Sequence, residues 1–80
     1  MNLKPVVTEK AIMKVEAENI ITFLIDQKVT KKEVKKEIED LFKVKVEKVR
    51  TQIRNNVKTA YVKLNKKDLA IDLATKLGLM

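Results

Sequence analysis

The spacing of hydrophobic positions changes along the chain, and the changes mark its elements. Ala11, Ile12 and Val15 recur at helical spacing behind Thr8, a residue type that caps helix starts, with Glu9 in the first turn. That pattern predicts a helix over 9–17. Ile20 to Ile25 (IITFLI) is instead a short, nearly continuous apolar run closed by Asp26. Its length and β-branched content predict a central strand buried on both faces. Thr30 and Glu33 then fit a capping box, with Val29 and Val34 as its hydrophobic staple. Val34, Ile38, Leu41 and Phe42 follow at helical spacing, so this helix packs one face on a sheet.

Beyond Lys43 the period falls to two. Val44 and Val46 share one parity, while Val49, Thr51 and Ile53 share the other. A bulge near Glu47 and Lys48 accounts for the slip. Asn55-Asn56 predicts a turn, because asparagine tolerates left-handed backbone. Val57 to Leu64 is the return strand, with Ala60, Val62 and Leu64 on one face and Thr59, Tyr61 and Lys63 on the other. Asn65 is expected to cap a last helix, with Asp68 near its start and Gly78 at its stop. Leu69, Leu73 and Leu77, beside Ala70 and Ala74, form its core stripe. At the other end, Asn2 to Val7 contains Pro5, which has no N–H to give a ladder, so the segment is at most an edge strand.

The order is therefore weak strand, helix, strand, helix, strand, strand, helix. It predicts one α+β domain over 1–80: a four-stranded antiparallel sheet with a short first strand, packed helices, and ferredoxin-like or α-β plait character. No repeat, linker or low-complexity stretch interrupts it.

Composition narrows the function. The chain is 45% hydrophobic and 36% charged, with net charge +7 and a pI of about 9.7. The excess is uneven: residues 28–67 hold 14 Lys and Arg against 5 Asp and Glu, and the rest of the chain holds 4 against 6. A positive field of this kind favours a polyanionic partner. Cysteine and histidine are absent, which removes thiolate chemistry, disulfides and the commonest general base and metal ligand. The one glycine, Gly78, excludes a glycine-rich phosphate loop. The expectation is a protein that is not an enzyme and carries no cofactor, metal or small-molecule substrate. No apolar run approaches a bilayer's thickness and no signal peptide is legible, so the expected location is cytoplasmic, without membrane insertion.

The helix predicted after Thr30 reverses the usual charge order. Lys31, Lys32, Lys35 and Lys36 crowd its start, while Glu37, Glu39 and Asp40 fall near its end. A helix dipole prefers the opposite. Unpaired amides at a helix start, ringed by ammonium groups, suit phosphate. The bland reading is that lysines are soluble helix formers and that Lys35–Glu39 and Lys36–Asp40 are ordinary i, i+4 pairs. The hairpin tips the balance, since Lys43, Lys45, Lys48, Arg50, Arg54, Lys58 and Lys63 decorate it. Tyr61 either stacks on a base or covers the sheet face, and with three aromatic residues in the chain, contacts to phosphates and RNA shape fit better than reading of single-stranded RNA by stacking.

Four motifs in register carry a resemblance: Pro5-Val6-Val7-Thr8-Glu9-Lys10-Ala11; Thr30-Lys31-x-Glu33-Val34-Lys35; Leu41-Phe42-x-Val44-Lys45-Val46-x-x-Val49-x-Thr51; and Lys58-x-Ala60-Tyr61-Val62-x-Leu64. Across nearly the whole chain they resemble the L-twenty-three family of large-subunit ribosomal proteins. The resemblance implies a small α/β fold with a four-stranded antiparallel sheet. It implies binding to the third domain of large-subunit rRNA beside the exit of the nascent-peptide tunnel, among neighbouring ribosomal proteins. It also implies a docking platform for factors such as the signal recognition particle. In bacterial members the acid of the Thr/Ser-Glu-Lys motif, Glu9 here, is a contact of trigger factor. On the residues alone the acidic first helix, with Glu9, Glu16 and Glu18, is either a protein-docking face or a plain solvated one, and Glu9 and Glu16 are the docking candidates. Bacterial members carry a long hairpin loop where this chain has only Arg54 to Val57, which is similar to archaeal members. Arg50 stands where the family often has asparagine, and Thr59 where it often has lysine. The candidate rRNA contacts are Lys10, Lys31, Lys32, Lys35, Lys45, Arg50, Arg54, Lys58 and Lys63. The alternative from a different class is a basic protein–protein adaptor whose lysines meet an acidic partner.

Overall fold

The computed structural model describes residues 3–77 of the chain. Seven elements follow one another: β1 (Lys4–Pro5), α1 (Glu9–Glu18), β2 (Ile20–Ile25), α2 (Lys31–Phe42), β3 (Val46–Arg54), β4 (Val57–Leu64) and α3 (Ala70–Lys76). The strands form one antiparallel sheet in the order β1-β2-β4-β3, as the α+β reading predicts.

The caps explain where the first two helices start. Thr8 accepts a hydrogen bond from the Ala11 amide at 3.1 Å, and Thr30 accepts one from the Glu33 amide at 3.3 Å. The box at α2 closes in a variant way, because the Thr30 hydroxyl donates to Glu33 Oε1 at 3.3 Å. Four non-glycine residues take left-handed backbone: Asn19 and Lys43 behind α1 and α2, and Asn55 and Asn56 in the hairpin. Three of the four are asparagine, the residue that tolerates this region best after glycine. Asn55 and Asn56 make the two-residue loop that pairs Arg54 with Val57.

Register decides which residues meet. Ile21 pairs with Val62 and Phe23 with Ala60, while Val49 and Thr51 face the same two residues from β3. These positions share the inner face, on which Val34 and Ile38 of α2 and Ala70, Leu73 and Ala74 of α3 close the core. The slip in β3 is a register shift between Val46 and Lys48, where the alternation placed it. On the outer face Lys48 pairs with Lys63, Arg50 with Tyr61 and Gln52 with Thr59.

Several sequence expectations change. The last helix begins at Ala70, not after Asn65. Asn65 instead caps a turn, accepting from the Lys67 amide at 3.1 Å, and Asp68 lies outside the helix. Leu69 is 53% exposed, so the stripe of α3 is Ala70, Leu73 and Ala74, with Leu77 packed against its edge. Leu41 is also exposed, and Phe42 and Val44 fill that end of the core in its place. β2 is sealed on its inner face, but on its outer face Leu24 reaches solvent while Thr22 is buried. The expected stop at Gly78 and the residue Asn2 lie outside the described residues.

Candidate functional site

The two ends of the sheet are built differently. At the hairpin end, β2 runs out beside the turn between β3 and β4, and the chain then enters α2. The Lys58 ammonium donates to the Val29 carbonyl at 2.6 Å and to the Gln27 carbonyl at 3.4 Å. The Gln27 amide donates to the Asn56 carbonyl at 2.5 Å. These bonds fasten the start of α2 to the hairpin tip, so Lys28, Lys31, Lys32 and Arg54, all exposed, share one end of the molecule. The acids there are locally engaged: Asp26 accepts from the Lys28 amide at 3.3 Å, and Glu33 takes the Thr30 hydroxyl. Lys31 and Lys32 are the first residues of α2, and a helix's first amides have no intrahelical acceptor. Cations and free donors therefore coincide, as the charge order of this helix suggests.

The other candidate cations are spread over several elements. Lys35 is exposed on α2, one turn further from its start. Arg50 and Lys63 lie on the outer sheet face, which α2 does not cover, and Arg54 belongs to that face by register as well. Lys10 is on α1, which crosses the same face: the Lys14 ammonium sits 4.3 Å above the centre of the Tyr61 ring. Lys45 stands at the opposite end of the sheet from the hairpin, just before β3. Lys58 is the one candidate whose ammonium is held by backbone carbonyls within the fold. Of the nine, Lys31, Lys32 and Arg54 share the hairpin end, where Lys58 is held within the fold, Arg50, Lys63 and Lys10 lie on the outer-face side, and Lys35 and Lys45 stand apart.

Lys14 is a cation that the sequence reading passed over. Its signal was present: Lys10 and Lys14 are four apart, on one side of a helix. Lys28, which opens the basic cluster of the sequence, is placed at the hairpin end by the turn before α2.

The far end is dominated by Asn19. Its side-chain amide donates to the carbonyls of Leu64, Asn65 and Asp68 at 3.2, 3.2 and 3.1 Å, and its Oδ1 accepts from the Ala70 amide at 2.5 Å. Acids are engaged there too, since Asp68 accepts from the Lys45 amide at 2.9 Å and Glu39 from the Val46 amide at 3.1 Å. Beside this hub lies an open groove of about 700 Å³, floored by Val15, Ile20 and Leu64 and rimmed by Glu16, Glu47 and Lys66. Glu9 and Glu16 are both exposed and seven residues apart on α1. Among the described residues no helix is long and apolar enough to cross a membrane.

Comparison with known proteins identifies the family. A family model for ribosomal protein L23 matches residues 1–59. The large ribosomal subunit protein uL23 of Pyrobaculum aerophilum is 51% identical over 76 residues, covering 94% of each chain. That of Methanothermobacter thermautotrophicus is 46% identical, covering 95% of this chain and 90% of its own. That of Trypanosoma brucei brucei is 43% identical over 77 residues, which are only 47% of its length. The chain belongs to the ribosomal protein L23 family, as a structural protein of the large ribosomal subunit and not an enzyme.

Proposed function

We propose that this protein binds large-subunit rRNA beside the exit of the nascent-peptide tunnel, with the hairpin end as its principal contact. The observation that carries the reading is the fastening of the α2 start to the hairpin tip through Lys58 and Gln27. It brings Lys28, Lys31 and Lys32, beside unpaired helix amides, to the same end of the sheet as Arg54, while Asp26 and Glu33 accept local hydrogen bonds. Such a cluster neutralises phosphates, releases their counterions and positions the protein without reading bases. Arg50, Lys63 and Lys10 extend the contact along the outer face, and Lys35 and Lys45 are secondary contacts. The exposed acids of α1, Glu9 and Glu16, are the docking surface for nascent-chain factors such as the signal recognition particle.

Filter binding to a transcript of the third domain of large-subunit rRNA, at 50 and 200 mM salt, tests the reading. Binding that weakens by more than about tenfold between the two supports contact with several phosphates. Absence of binding at 50 mM salt would refute it and favour the adaptor reading.

A further inference from the structure

A second recess with cationic lining lies under α1. A recess of about 270 Å³ opens between the first two turns of α1 and the outer face of the sheet. Lys10 and Lys14 line it from the helix, and Thr22, Thr59 and Tyr61 line it from β2 and β4. None of its lining residues is a carboxylate. The neighbours on the sheet are cationic or neutral: Arg50 pairs with Tyr61, and Gln52 pairs with Thr59 and accepts from the Tyr61 hydroxyl at 3.2 Å.

The floor holds an unsatisfied group. Thr22 is 6% exposed, and its hydroxyl has no hydrogen-bond partner. A buried hydroxyl without a partner is destabilising, so its presence calls for a reason. Valine has the same shape and fits a strand as well. The ammonium of Lys14 rests on the Tyr61 ring, a position that a stronger anionic partner would draw it from.

We propose that this recess takes one phosphate group of the RNA strand, between Lys10 and Lys14, with the Thr22 hydroxyl donating to it from below. The inference rests on the rRNA-binding reading and adds a specific subsite to it. The recess lies on the hairpin half of the outer face, since Leu24 and Thr59 pair one step from Ile25 and Lys58. A strand that leaves the hairpin end along Arg54 and Arg50 passes its mouth.

The test compares the full chain with Thr22→Val and with Lys10→Gln/Lys14→Gln, binding the same rRNA transcript. Thr22→Val is expected to fold with equal or higher Tm, yet to bind about tenfold more weakly, the loss of one charge-assisted hydrogen bond. Lys10→Gln/Lys14→Gln is expected to lower affinity and flatten the salt slope by about one phosphate's worth. If the wild-type chain binds the transcript and both variants bind it equally well with the same slope, the subsite is refuted while the rRNA reading stands. If the wild type itself does not bind, both fall. The same variants are assayed on phosphatidylglycerol vesicles; a recess that alters vesicle binding and leaves RNA binding unchanged also refutes the proposal.

Discussion

The hairpin end and the far end of the sheet use polar groups in opposite ways. At the far end one asparagine makes four hydrogen bonds to backbone, and two acids hold backbone amides. At the hairpin end one lysine and one glutamine fasten the loops, and the remaining cations are left on the surface. The first arrangement holds the fold together, and the second keeps charge available to a partner. One end of this 80-residue domain spends an asparagine and two acids on backbone bonds, while the other leaves a cluster of exposed cations for the partner proposed above.

The largest effect is expected at Asn19. Asn19→Ala removes the bonds that tie α1, β4 and α3 together, leaves the Ala70 amide unpaired and puts alanine in left-handed backbone. The expected cost is about 3 kcal/mol, or roughly 15 °C in Tm for a domain of this size. RNA affinity measured well below that lower Tm should be unchanged. A calorimetric Tm within a few degrees of wild type would show that the hub is not what fixes the far end.

Lys58 is where the two uses meet. Lys58→Met keeps the apolar stem and loses both carbonyl contacts, with an expected cost of about 1.5 kcal/mol. Chemical denaturation measures it. Unchanged stability together with weaker RNA binding would reassign this lysine to the partner. The smallest effect is a gain. Lys43 follows α2 with a φ of 56°, a conformation glycine adopts without penalty. Lys43→Gly is expected to stabilise by about 0.5 kcal/mol, because relief of backbone strain exceeds the loss of a cation near the helix C-terminus. A lower denaturation midpoint would mean that the cation matters more than the backbone.

Most of the fold was legible because its determinants are local. Thr8, Thr30, the apolar run of β2, the slip at Glu47 and the Asn55-Asn56 turn each act within a few residues. The start of α3 was not legible, for a physical reason: its first amide is capped by Asn19, 51 positions away, and Leu69 offers no side-chain cap. Asn65 and Asp68 are residue types that cap helices, but here they serve a turn and the Lys45 amide. The candidate site was legible as charge and not as geometry. Pattern alone identified the reversed helix, yet nothing local to Lys58 reveals that its ammonium is held by Val29, or that Lys14 reaches Tyr61 across the sheet.

The most direct test is a matched pair of charge reversals at the two ends. Lys31→Glu/Lys32→Glu and Lys66→Glu/Lys67→Glu change the net charge equally, and all four side chains are exposed. Binding to the rRNA transcript is measured for each across a salt series. The hairpin-end variant should lose more than about tenfold in affinity, with the slope flattened by about two, while the far-end variant stays within about threefold of wild type. Equal losses at the two ends would contradict the account, because only net charge would then govern binding.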